Sequence, residues 1–112
     1  MATTPEARFS DEVRAALKRM RGVLGFRIES SHTAPGFPDW VIFTWEAIRL
    51  VELKVEGGTL TTAQKVLHAQ LASLKIPVYL LTKAKNGVRV NHTEFNKLEA
   101  ALAAILKGDK IE

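Results

Sequence analysis

Asp39-Trp40-Val41-Ile42-Phe43, then Thr44-Trp45-Glu46-Ala47, then Ile48-Arg49-Leu50-Val51-Glu52-Leu53-Lys54-Val55 is the stretch that decides the fold. Two runs rich in β-branched and aromatic residues flank a short polar break, which is the pattern of a hairpin. A four-residue loop of the common kind pairs Phe43 with Ile48, and carrying that register back sets Asp39 opposite Glu52. Side chains alternate along a strand, so Glu52 and Lys54 share one face while Val51, Leu53 and Val55 point to the other. Both sides of the hairpin read as apolar, with Trp40, Ile42, Val51 and Leu53 on one and Val41, Phe43, Ile48 and Leu50 on the other. That pattern predicts a sheet covered on both faces.

Carboxylates facing each other across two strands repel unless a cation lies between them or one is protonated. A divalent ion such as Mg²⁺ removes the conflict, because it keeps several waters and needs only one or two carboxylates beside a substrate phosphate. Lys54, beside such an ion, is placed to orient its water or to stabilise charge on the phosphate. Metal-assisted phosphodiester cleavage is the chemistry that uses this set. Taken alone, Glu52-Leu53-Lys54 also reads as an edge-strand ion pair that keeps a sheet soluble. Gly36-Phe37-Pro38-Asp39 at this distance upstream favours the metal reading.

Gly36-x-Pro38-Asp39, Glu52-Leu53-Lys54 and Gln64 at the start of the next helix resemble the VRR-NUC (virus-type replication-repair nuclease) branch of the PD-(D/E)xK phosphodiesterases. The resemblance covers roughly residues 6 to 82. It implies that Asp39 and Glu52 are ligands of Mg²⁺ or Mn²⁺, with the Leu53 carbonyl as a further one, and that Lys54 is the catalytic lysine. It also implies a homodimer that resolves branched DNA such as Holliday junctions. The chain departs from the family at Ser73-Leu74-Lys75-Ile76-Pro77, where a glycine often precedes the last core strand.

The family places a further glutamate on the first helix, where Glu6 and Glu12 are available. Pro5 suits a first helical turn capped by Thr3 or Thr4, which predicts a helix over 5–21. Phe9, Val13, Ala16, Leu17 and Met20 form its apolar stripe; Glu6 lies on that stripe and Glu12 well off it. Glu6 is therefore the candidate that faces the metal, although a first-turn acid is also favoured by the helix dipole alone. Gln64 has two readings as well. Thr61-x-x-Gln64 is a capping box, and the same helix start supplies amide dipoles and a side-chain amide to a phosphate or a metal-bound water.

Strands over 25–30, 39–43, 48–55 and 77–82 with helices over 5–21 and 62–75 give an α/β chain with the αβββαβ core of restriction endonucleases, a mixed sheet flanked by helices. A short strand over 87–90 and an added C-terminal helix over 94–107 complete one domain, 1–112. Val66, Leu67, Leu71 and Leu74 are expected to face the sheet from the second helix, and Phe95, Leu98, Leu102, Ile105 and Leu106 from the last. Ala100, Ala101, Ala103 and Ala104 on that last helix offer a close-packing face for a dimer.

With 46% hydrophobic residues among 112, the chain can fill one core. The absence of cysteine excludes disulfides and thiolate metal sites. No signal-peptide core or membrane-length apolar run is present, so the expectation is an intracellular protein, in the cytoplasm or, for a viral protein, that of the host, with no membrane partner. A net charge of +4 is a mild basic bias compatible with nucleic acid. Lys65, Lys83 and Lys85 are candidates to track a DNA backbone and His32 to touch a phosphate, while His68 and His92 read as surface or capping residues. The alternative to a nuclease is a nuclease-fold module that binds nucleic acid without cutting it.

Overall fold

A computed structural model describes residues 4–28 and 34–112. The elements are α1 (Pro5–Lys18), β1 (Val23–Arg27), β2 (Trp40–Thr44), β3 (Ile48–Val55), α2 (Thr62–Ser73), β4 (Val78–Ala84), β5 (Gly87–Val90), β6 (Thr93–Phe95) and α3 (Leu98–Lys107). The strands form one sheet in the order β1-β2-β3-β4-β5-β6. Neighbours run antiparallel except β3 and β4, which are parallel and joined by the α2 crossover, as a parallel pair requires. The hairpin has the register read from its loop length, with Phe43 opposite Ile48 and Trp40 opposite Val51.

α1 and α3 pack on the face carrying Trp40, Ile42, Val51, Leu53, Tyr79, Leu81, Val88 and Val90, and the core lies in that layer. Phe9, Val13, Ala16 and Leu17 contribute from α1, and Ala101, Leu102 and Ile105 from α3. Gly25 makes the close approach possible: a Cβ there would lie 2.7 Å from Leu17 Cδ1 and 3.4 Å from the Trp40 ring. None of the helices among the described residues is long and apolar enough to cross a membrane.

Four expectations are corrected. α1 ends at Lys18 rather than residue 21, because the Arg19 and Met20 amides turn back to the carbonyls of Ala16 and Leu17 and Gly22 then takes φ +70° into β1. β1 begins at Val23, paired to Thr44 at the far end of β2, and residues 29 and 30 of the expected strand lie outside the described residues. Residues 93–95 are a sixth strand, not the start of the last helix. Asn91, at φ +55°, turns the chain so that Phe95 stands opposite Val88, and α3 starts only at Leu98.

The fourth correction concerns the second face. α2 lies over β3 and β4 there, yet none of its residues is fully buried, and Val66 and Leu74 point to solvent, Leu74 with 69% of its surface exposed. Leu24, Phe26, Phe43 and Ile48 on the β1–β3 part of that face are exposed as well, with Phe26 and Phe43 in edge contact at 5.9 Å. The sheet is covered fully on one side only. The alanines of α3 do not form one free face: Ala101 and Ala104 are buried, while Ala100 is exposed and Ala103 half-buried.

Candidate active site

The start of β2 and the middle of β3 bring Asp39 and Glu52 together. Ile28 donates its amide to the Asp39 carbonyl at 2.7 Å, which extends the β1–β2 ladder to this position. Asp39 Oδ2 accepts the Leu53 amide at 2.8 Å across the hairpin, so the aspartate is pinned to β3 beside Glu52. Glu52 is 1% exposed. Burial, the hydrogen bond with Asp39 and the Asp39 charge, in that order, push its carboxyl up to about 9, while Lys54 pulls the other way and Glu6 adds to the rise. At neutral pH the metal-free Glu52 carboxyl therefore keeps its proton. If Glu52 is ionised, its Oε1 is buried with no hydrogen-bond donor.

A cavity of about 190 Å³ opens between α1 and Asp39, lined by Thr4, Glu6, Ala7, Ser10, Arg27, Asp39 and Leu53. Glu6 thus faces Asp39 from the first turn of α1, where Thr4 caps the helix by accepting the Ala7 amide at 3.1 Å. Glu12 faces elsewhere and pairs with Lys83 at 2.9 Å. The Ser10 hydroxyl, one turn beyond Glu6, is buried and has no partner among the described groups. No three His, Cys, Asp or Glu side chains among the described residues converge as a ready-made ion cage. What stands here is a two-carboxylate site whose buried, unpartnered Glu52 oxygen suits a divalent ion, with backbone and water to complete its shell.

The N-terminus of α2 lies against the site from the Glu52 side of the sheet, and the capping box expected at Thr61 and Gln64 is formed. Gln64 Oε1 accepts the Thr61 amide at 2.8 Å, while Thr61 Oγ1 accepts the Gln64 amide at 3.1 Å, which completes the capping box. Its Nε2 donates to Glu52 Oε2 at 3.1 Å. One amide caps the helix with its oxygen and holds the carboxylate with its nitrogen. Gly36 locks the loop before Asp39 onto this turn: it has φ +85°, and a Cβ would lie 2.4 Å from the Ala63 carbonyl oxygen.

His68 is neither a surface nor a capping residue. It sits one turn after Gln64 with 14% of its side chain exposed, and its Nε2 is 3.5 Å from Glu52 Oε1. Burial, with Lys54 adding and Asp39 opposing, lowers its pKa, so the ring is neutral at physiological pH. The spacing of four from Gln64 was the available signal, since it places both side chains on one helix face. His92 is exposed, as expected.

The outlying cations differ. Lys65 and Lys85 are exposed, whereas Lys83 is engaged by Glu12 and lies 5.9 Å from the Phe9 ring centre. His32, with Ser30, Ser31 and Thr33, lies outside the described residues.

A six-stranded mixed sheet flanked by helices, with an αβββαβ core, is the restriction-endonuclease-like α/β fold. Among solved structures the chain is similar to that of Hjc from Archaeoglobus fulgidus, a Holliday junction resolvase from an archaeal hyperthermophile. The two are 18% identical over 74% of this chain and 72% of that one, with a TM-score of 0.56. At that identity the likeness is one of fold. No protein-family model matches the chain, and no curated protein does.

Proposed function

We propose that this chain is a divalent-metal-dependent DNA endonuclease of the VRR-NUC branch, selective for branched DNA such as a Holliday junction and active as a homodimer. The observation that carries the reading is the fully buried Glu52 carboxyl set beside Asp39 of the neighbouring strand, with Lys54 two residues further along the same face. A structural carboxyl pair of this kind costs stability, and a site that exchanges a proton for a cation gives it a purpose. The resolvase fold of the neighbour supports the same class of reaction.

Asp39, Glu52 and the Leu53 carbonyl would hold Mg²⁺ or Mn²⁺, with Glu6 reaching the same cavity. The ion supplies a polarised phosphate and a water acidic enough to attack it. Glu52 would give up the proton that burial keeps on it, so that both carboxylates balance the charge of the ion. Gln64 keeps the Glu52 carboxylate in plane by its hydrogen bond to Oε2. Lys54 donates to the non-bridging oxygen or to the attacking water, where charge develops in the transition state. Lys65 and Lys85 lie outside, free to meet phosphates of the bound strands.

A four-way junction presents two scissile strands related by approximate twofold symmetry, which a closed dimer matches with two sites. The open face formed by Leu24, Phe26, Phe43 and Ile48, continued by Val66, Leu74 and Ile76, exposes several hundred Å² of apolar surface, about what one partner of a stable interface contributes. A second copy is the partner we assign to this exposed apolar patch. The function is tested on duplex, flap, single-stranded and four-way-junction DNA with Mg²⁺, Mn²⁺ or EDTA. Junction cleavage that requires the metal and is lost in Asp39→Asn is expected; cleavage that persists in EDTA would overturn the metal assignment, and binding without cleavage would make the chain a nucleic-acid-binding module.

A further inference from the structure

His68 Nε2 and Glu52 Oε1 are both buried, both without a hydrogen-bond partner, and face each other at 3.5 Å. Buried polar atoms in native folds are nearly always paired, and two orphans pointing at one another call for a reason. Packing does not supply it. α2 buries none of its residues fully, so no demand for core volume draws this imidazole under the helix. On the next turn back, Gln64 already donates to the other oxygen of the same carboxylate at 3.1 Å. The spacing of four residues stacks the two side chains on one face of α2, each above one oxygen.

We propose that His68 is a positioning residue which, with Gln64, clamps the Glu52 carboxylate from the α2 side, its Nε2–H directed at Oε1. The last torsion of a glutamate side chain is broad, so an unclamped carboxylate would swing its oxygens away from Asp39. Each carboxylate oxygen has two acceptor positions, which leaves room for an α2 donor and a cation on the same atom. The present separation is about half an ångström longer than a good N–H···O bond, a gap that a small turn of the ring closes. The metal part of this inference rests on the proposed cation site at Asp39 and Glu52; the His68–Glu52 contact does not.

Two measurements separate them. In metal-free protein, ¹⁵N spectra of the histidine rings should give His68 a protonated Nε2, and Glu52→Met, which keeps the volume and removes the acceptor, should shift that nitrogen. By calorimetric titration with Mn²⁺, His68→Leu should weaken binding about tenfold, as loss of a partner that orients a metal ligand typically does. His68→Gln, whose amide reaches the place of Nε2, should recover most of that loss, while all three proteins melt alike in EDTA. Recovery by Gln but not by Leu is a result that a packing role would not produce. A His68 ring indifferent to Glu52→Met, or a His68→Leu protein that binds Mn²⁺ as tightly as wild type, would overturn the clamp. A ring that responds to Glu52→Met in a wild-type protein that takes up no Mn²⁺ would sustain the clamp and sink the cation site.

Discussion

Glu52→Gln should stabilise the metal-free protein by an amount that grows with pH. The unfolded glutamate releases its proton near 4.5, whereas the folded one holds it to about 9. Between those values the unfolded chain binds fewer protons than the folded one, so the stability of the wild type falls as pH rises. At about 1.36 kcal/mol per pH unit, the loss from pH 5 to pH 8 approaches ~4 kcal/mol if it falls on Glu52 alone. The expected loss is about 2–4 kcal/mol, a large fraction of the roughly 5–15 kcal/mol that holds a small domain together. Glutamine is neutral in both states and carries no such slope. Urea denaturation in EDTA at pH 5, 6.5 and 8 should therefore give curves for wild type and variant that lie close at pH 5 and separate steadily above it. Mn²⁺ at a hundred times its dissociation constant should restore about 2.7 kcal/mol to the wild type and nothing to the variant. Parallel pH profiles with no metal-dependent gap would refute the account of a proton held on Glu52 by burial.

Lys54→Ala should lower turnover by about 100-fold or more with junction binding little changed, because a contact made in the transition state acts on rate; filter binding beside single-turnover cleavage checks it, and loss of both in step would make Lys54 a phosphate anchor. Glu6→Gln should depress cleavage far more than Glu12→Gln, since Glu12 is occupied by Lys83 at 2.9 Å and only Glu6 lines the cavity beside Asp39; equal small effects would return Glu6 to a helix-dipole role. Lys75, two residues past the end of α2, sits in the left-handed region at φ +64°, and Lys75→Gly should raise stability by about 1 kcal/mol in urea titrations. A Phe43→Glu, Ile48→Glu double variant should sediment near 12.4 kDa where the wild type sediments at twice that mass; a wild-type monomer at micromolar concentration that cuts both junction strands would refute the dimer.

The hairpin, its register and the faces of its side chains were legible in the chain because a two-residue period and a loop of fixed length are local properties. The choice of Glu6 over Glu12 followed from helical period in the same way, and the capping box at Thr61 from a spacing of three. What covers each face is not local. The period of α2 shows an apolar stripe, but only the packed molecule shows that its Val66 and Leu74 remain in solvent and that the β1–β3 face stays open. Residues 93–95 became a strand because β5 offered an unpaired edge and Phe95 a place against the core, neither of which a three-residue segment announces. At the site, the residue types came from the chain and the electrostatics from the fold. Asp39 and Glu52 are opposed by register, yet the height of the Glu52 pKa comes first from burial summed over several elements. The spacing of four puts His68 on the same face of α2 as Gln64, but what that face meets depends on how α2 settles over β3, which tertiary packing decides.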